Sequence, residues 1–492
     1  MSERQLSALA GSQLALPSGA EPAGPVDDDE RVELTLVLRP PDSRPAAGSP
    51  EARHGPRLED VNAVLGWAAE CALALEALSP VARTIRLSAP LGRWRELLDL
   101  ELSLYAWEGT TFRGRSGSLN VPAGLVGALI GVFGLDTRPV AWHAPVVSVA
   151  ESATVSPLQL RSAYRLPVGV DGDGQCIGII ALGGRANRGD LAVEAMRFGL
   201  PVPDLATVPA AGGSLSASHA AHGAATDNLA IALDTQVPAT LAPAAQLVVY
   251  SAPNTAQGLL ETVAAALTDR ERRASVLLVN WSSAEQDGLL SASLMRSLDA
   301  MFATADALGI TVLASTSLHI DPRPRRRASR TAYPASSPYA VACSDTELVV
   351  SAGGVESQAT WIASRGSDGT GASRLFERPT WQLEALQPGA SGTAARRTRP
   401  TRTTPDVSAH GAGFLVTAGG TAVSVGGGGS GAAVWAGTVA LLNQSLGRRV
   451  GLLTPRLYSA AAAGRRTGTG WGPDVGLGPP DGAALLRALR AD

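Results

Sequence analysis

Apolar and polar positions alternate over residues 31–38 (RVELTLVL), the mark of a strand with one buried face. A proline-rich loop at 40–56 follows. Val61, Val64, Leu65 and Ala68 then recur at helical spacing in a stretch predicted helical over 58–78. Residues 84–88 read as a second short strand, 91–98 as a second helix and 100–107 as a third strand. Interleaving of this kind predicts a small α+β domain ending near residue 139. Residues 140–154, with Pro145 and no strong periodicity, predict a linker. Beyond it, apolar runs at 176–182, 246–250, 276–279 and 310–314 alternate with helical segments, one of them at about 289–308. Buried runs separated by helices predict a parallel sheet covered on both faces.

Two uncharged stretches imitate membrane spans. Residues 116–135 contain Ser116, Ser118, Asn120 and Pro122, which leaves VPAGLVGALIGVFGL as a buried helix of a soluble domain. Residues 411–447 open with too many glycines to hold a helix in lipid, and both stretches read as core. No membrane association is expected. Residues 1–30, polar, small and acidic at their end, read as a flexible leader. They show no basic segment followed by a continuous apolar one, so no ordinary secretory signal is expected and the localisation stays open.

Composition narrows the classes further. The chain has 492 residues, 45% of them apolar and 17% charged, which excludes a wholly disordered protein. Cys71, Cys176 and Cys343 include no CxxC pair and predict neither a disulfide framework nor a zinc site. A net charge of -3 predicts no general attraction to nucleic acid. All 41 basic residues are arginine, for which biased base composition of the genome is a better account than selection against surface amines. The arginine-rich segments at 323–327 and 396–402 read as surface loops.

Several blocks, in order, resemble one known family. RVELTLVLRP, FRGRSGSLNVPA and GLDTRP in the first domain resemble the activation prodomain of kumamolisin-type sedolisins, the serine-carboxyl peptidases. LAPAAQLVVY, SVLLVNWSS, YPASSPYAVAC, TPDVSA and VWAGTVALLNQSLG in the second resemble their peptidase domain. The resemblance implies a subtilisin-like α/β domain with helices on both faces of a parallel sheet, behind an α+β, ferredoxin-like prodomain. The expected division is a leader (1–30), a prodomain (31–139), a linker (140–154) and a peptidase domain (155–492).

Activity is a separate matter, because a fold does not carry chemistry by itself. In this family a glutamate base and an aspartate lie one turn apart on a helix, another aspartate lines the oxyanion site, and a serine opens a later helix. Here Asp234 falls at the helix aspartate, but Ala230 stands where the base would be. Ala181 stands at a supporting acid, Leu318 at the oxyanion aspartate and Gly429 at the nucleophile. A methyl group cannot take a proton, and leucine offers no donor. Ser430 lies one residue late, about 100 degrees round a helix. It reads as a serine capping the next helical turn.

The resemblance also implies a calcium site, which the sequence does not support. The stretch at 457–466 holds no carboxylate, Asp474 is left alone, and a hard cation needs several oxygens. No cofactor and no metal are therefore expected, with Arg465 and Arg466 candidates to replace the ion's charge. The edge at Asn280, Trp281 and Ser282 corresponds to the family's substrate cleft, where an extended peptide adds as a strand.

The leading expectation is a pseudopeptidase that has lost hydrolysis and is retained to bind a peptide or protein partner. A second reading keeps an active peptidase rewired through Ser430, Asp234 and His219 or His222, with His319 and Asp321 another candidate pair. A third makes it a structural or assembly protein.

Overall fold

The computed structural model describes residues 5–41, 54–151, 154–210, 224–319, 330–351, 354–360, 366–367, 369–385, 401–463 and 471–491. His219, His222, Asp321, the arginine-rich run at 323–327, most of that at 396–402, and Arg465 and Arg466 lie outside the described residues.

The alternating run at 31–38 becomes the strand Arg31–Leu38, whose apolar residues are buried. It lies inside a four-stranded antiparallel sheet in the order Ala74–Ser79, Thr84–Pro90, Arg31–Leu38, Leu129–Phe133. With the helices Leu58–Glu70 and Leu91–Leu98, this makes the βαββαβ order of a ferredoxin-like domain. Leu34, Leu36, Val64, Trp67 and Trp94 fill its core, and Trp94 Nε1 donates to the Val32 carbonyl at 3.0 Å.

Three expectations differ from this domain. The stretch predicted helical to residue 78 stops at Glu70 and resumes as the strand Ala74–Ser79, because apolar positions there no longer follow the helical period. The uncharged stretch VPAGLVGALIGVFGL is not a helix: a single 3-10 turn, Ala123–Leu125, leads into the strand Leu129–Phe133, whose buried residues alternate. The supposed flexible leader is paired with the first domain at two short strands. Leu6–Ala8 pairs antiparallel with Asn120–Pro122, and Glu21–Gly24 pairs with Ser103–Trp107. Leu9 is buried, and Ser12 Oγ accepts from Leu119 N at 2.8 Å.

The second domain is the predicted α/β sandwich. Its eight-stranded sheet runs Leu205–Pro209, Gln246–Ser251, Cys176–Ala181, Val276–Val279, Thr311–Ser315, Val341–Ser351, Gly354–Thr360, with Val407–His410 also paired to Val341–Ser351. Seven of these strands are parallel, and Gly354–Thr360 is antiparallel. Both faces of the inner parallel strands are buried, as their continuous apolar runs require, whereas the edge strand Leu205–Pro209 is partly exposed. The helices Ala224–Leu241 and Ser430–Leu446 cover one face, and Ala256–Thr268 and Ala292–Ala307 cover the other.

That second pair of helices also receives the first domain. Val37, Ala82 and Phe133 join their core. Polar contacts cross the seam: Thr35 Oγ1 donates to Glu261 Oε1 at 2.5 Å, and Arg83 Nη1 donates to Thr304 Oγ1 at 2.9 Å. No helix among the described residues is long and apolar enough to cross a membrane.

Candidate functional site

Two helices and two strand ends converge on the candidate site. Asp227, Ala230 and Asp234 share one face of the helix Ala224–Leu241, being three and seven residues apart. Asp234 is wholly buried. Its Oδ1 accepts from Asn280 Nδ2 at 2.6 Å, and the same amide reaches the Gly429 carbonyl at 3.2 Å. Its Oδ2 lies 2.9 Å from Nε2 of His143, a residue of the linker.

The linker is not unstructured. Trp142–His143 pairs antiparallel with the edge strand Trp281–Ala284, so that Trp142 faces Ser282 and His143 faces Trp281. Val146–Ser148 pairs with Gly427, Gly426 and Val425. Between the two, the Pro145 carbonyl accepts from Gly428 N at 3.2 Å. Asn254 holds the approach, its Oδ1 receiving Val140 N and Ala141 N at 3.2 Å each and its Nδ2 donating to the Ala141 carbonyl at 2.6 Å. The chain's own linker thus lies along the cleft edge and across the glycine turn. His143 is buried and meets the Trp281 ring edge-on at 5.2 Å between centroids. Trp142 meets Trp107 of the first domain at 6.1 Å.

At the glycine turn, Gly427, Gly428 and Gly429 all have left-handed φ angles, which only glycine adopts in a row without strain. Gly429 (φ 74°) caps the helix Ser430–Leu446. A Cβ there would stand 2.7 Å from Ser315 Cβ and 3.0 Å from Asn280 Cγ, so the position is closed as well as empty. Ser430 is buried, and its hydroxyl donates back to the Gly427 carbonyl rather than capping the next turn as the sequence suggested. His143 Nδ1 has no hydrogen-bond partner among the described residues.

An acid that sequence reasoning missed occupies the start of that helix. Asp345 Oδ1 accepts from Gly431 N at 2.9 Å, and Oδ2 accepts from Ser317 Oγ at 3.2 Å. Burial pushes its carboxyl up to about 6, aided by the charge of Asp234 and opposed by the amides of Gly431 and Gly429 and the Ser317 hydroxyl. Its signal in the sequence was a lone charge in the otherwise buried run 341–346. Asp227 was also missed as a site residue. Burial raises its pKa, and the nearby His143 lowers it.

The remaining positions are apolar or structural. Ala181 ends the strand Cys176–Ala181, and the Gly183 and Gly184 that follow lie against Asp227. Ala230 is wholly buried, and Leu318 is buried in the core beneath the cleft. Asn280 uses its side chain on Asp234, Trp281 packs on His143, and Ser282 Oγ donates to the Ser317 carbonyl at 2.9 Å.

The stretch where the resemblance implied a calcium site is described only in part. Leu457 and Tyr458 sit in the helix Thr454–Ala462, Tyr458 donates its hydroxyl to Asp406 at 2.9 Å, and Asp474 is exposed. No group of three or more His, Cys, Asp or Glu residues stands together among the described residues, and 464–470 lie outside them.

Comparison with known proteins decides the lineage. Residues 49–138 match the model of the pro-kumamolisin activation domain. The chain is 32% identical to kumamolisin of Bacillus sp. (strain MN-32) over 553 aligned positions, covering 99% of this chain and 97% of that protein. It belongs to the sedolisin family. The sedolisin of Pseudomonas sp. (strain 101) is 27% identical over 286 positions, covering 50% of this chain and 46% of that protein. A solved Pseudomonas sedolisin, a serine-carboxyl proteinase complexed with pseudo-iodotyrostatin, superposes with a TM-score of 0.58 at 23% identity, over 69% of this chain and 98% of that one. Within this sedolisin fold, the four-stranded first domain is the activation domain and the parallel sheet carries the peptidase-type domain.

Proposed function

We propose that this sedolisin-family chain does not hydrolyse peptides and that its cleft is kept to bind an extended peptide or protein segment. The observation that carries this reading is Asp345, whose carboxylate rests on the backbone N–H of Gly431 at the start of the helix Ser430–Leu446. Peptide hydrolysis needs a free donor there for the developing oxyanion, and this N–H is already committed to the Asp345 carboxyl, whether charged or protonated. The surrounding positions support it. Gly429 has no side chain and no room for one, Ala230 carries no base, and the hydroxyl of Ser430 is spent on a carbonyl.

Binding, by contrast, needs only what is present. The edge strand Trp281–Ala284 offers backbone groups to an extended chain, and the linker uses them. Calcium is not part of this proposal; an unchanged melting temperature on adding calcium is the expected outcome. The rewired-peptidase reading draws on the His143–Asp234 couple, but the free nitrogen of that imidazole meets no serine hydroxyl.

Acid incubation tests the proposal. The 492-residue chain is expected to stay intact between the two domains at acid pH, as read by mass spectrometry. Cleavage within the linker that disappears in Ser430→Ala would overturn it.

A further inference from the structure

Strand pairing alone reads backbone and accepts any sequence, so selectivity in this cleft must come from side chains. Of the two linker residues paired with the edge strand, His143 reaches with its side chain into the peptidase-type domain. Trp142, on the opposite face, addresses Trp107 of the activation domain. His143 is buried and closes a hydrogen bond of 2.9 Å to Asp234, a residue itself wholly buried.

The shape of this contact favours imidazole over other side chains. Asp234 has one oxygen taken by Asn280 and offers only the other outward. A guanidinium prefers two parallel bonds to a carboxylate, which this arrangement denies. An ammonium brings three donors to one acceptor. Imidazole presents a single donor in the plane of a flat ring, and that ring also makes a T-shaped contact with Trp281. Asp227, two turns up the same helix face, places a second carboxyl near the ring. Between the two acids stands Ala230, a buried methyl group where the family's glutamate would project.

We propose that the cleft is a histidine-reading peptide site, with Asp234 the acceptor for the imidazole and Ala230 the residue that makes room for it. The linker is its resident ligand, and the partner is another protein's extended segment with the pattern aromatic, histidine, small, proline. The inference rests on the reading of the cleft as a binding site and names its ligand class. An acid that lost its catalytic base has become a recognition group.

The test uses the full-length chain carrying His143→Ala, whose linker has lost its anchor, and a fluorescent peptide of linker sequence, PVAWHAPVVS, with its His→Phe and His→Ala forms. Hydrogen exchange at residues 142 and 143 reads whether the linker has opened. Exchange there is expected to rise about tenfold or more in His143→Ala, the scale of one lost hydrogen bond to a charged group. The histidine peptide should then bind at least about tenfold more tightly than either of the others, and the preference should vanish in His143→Ala with Asp234→Asn. Ala230→Glu in the otherwise unchanged chain should also speed exchange at these residues. Equal binding of the three peptides, no binding to an opened linker, or a linker as protected in His143→Ala as before would each overturn the proposal. Peptide mass after each run separates the two readings, since a cut peptide would count against the loss of hydrolysis while the binding ratio still judges the histidine preference.

Discussion

Two buried aspartates of the same domain, Asp406 and Asp234, solve the same problem by different means. Neither has any solvent exposure. Asp406 is satisfied wholly from within its own domain: Arg402 reaches both oxygens, Tyr458 donates to one at 2.9 Å and Ala342 N to the other at 2.8 Å. Arg402 is in turn covered by the Trp381 ring, 5.3 Å away. Among the described residues, Asp234 has only Asn280 from its own domain and takes its other donor from the linker. Burying a carboxylate is costly unless it is paired and hydrogen-bonded. Asp406 therefore belongs to the fold, whereas Asp234 depends on a strand that could be lifted away.

The largest effect should fall on the sealed site. Arg402→Met leaves Asp406 uncompensated with no route for water, and should cost about 3–5 kcal/mol in chemical denaturation. A cost below about 1 kcal/mol would erase the distinction between the two acids. Gly429→Ser comes next. Its left-handed backbone and a Cβ 2.7 Å from Ser315 Cβ predict a loss of about 2–4 kcal/mol and no gain of hydrolysis. A stable, active Gly429→Ser protein would show that the site is merely vacant.

Asp345 sharpens the comparison through pH. Its folded pKa, about 6, lies above the unfolded value of 3.8, so the folded state holds the proton more tightly. Stability from this group is fully present below pH 3.8 and is lost as pH rises through about 6. At most about 3 kcal/mol is at stake, and Asp345→Asn should flatten that part of the stability profile. A profile of unchanged slope in the variant would remove Asp345 from the account. The smallest effect is expected from His143→Ala, about 1–2 kcal/mol, because water can enter beneath a loosened linker and solvate Asp234. A loss as large as that of Arg402→Met would mean that Asp234 is sealed too.

How much of this was legible in the sequence follows from the range of the interactions. Parallel strands announce themselves as apolar runs, and the alternation at 31–38 marked its strand to the residue. Gly429 was read by local register from the helix that follows it, and it caps that helix in the structure. The run GLVGALIGVF misled because apolar residues that crowd every position carry neither helical nor strand period. The leader misled because backbone pairing and two anchors, Leu9 and Ser12, hold a segment of unremarkable composition. The partner of Asp234 was beyond reach, since His143 stands 91 residues away and only the path of the linker brings them together.

The most direct measurement of the central claim is turnover. The purified full-length protein, incubated with a casein digest or peptide library from about pH 3 to about pH 8, should release no more product than its Ser430→Ala variant at any pH. Cleavage by the unaltered protein that is lost in Ser430→Ala would contradict it.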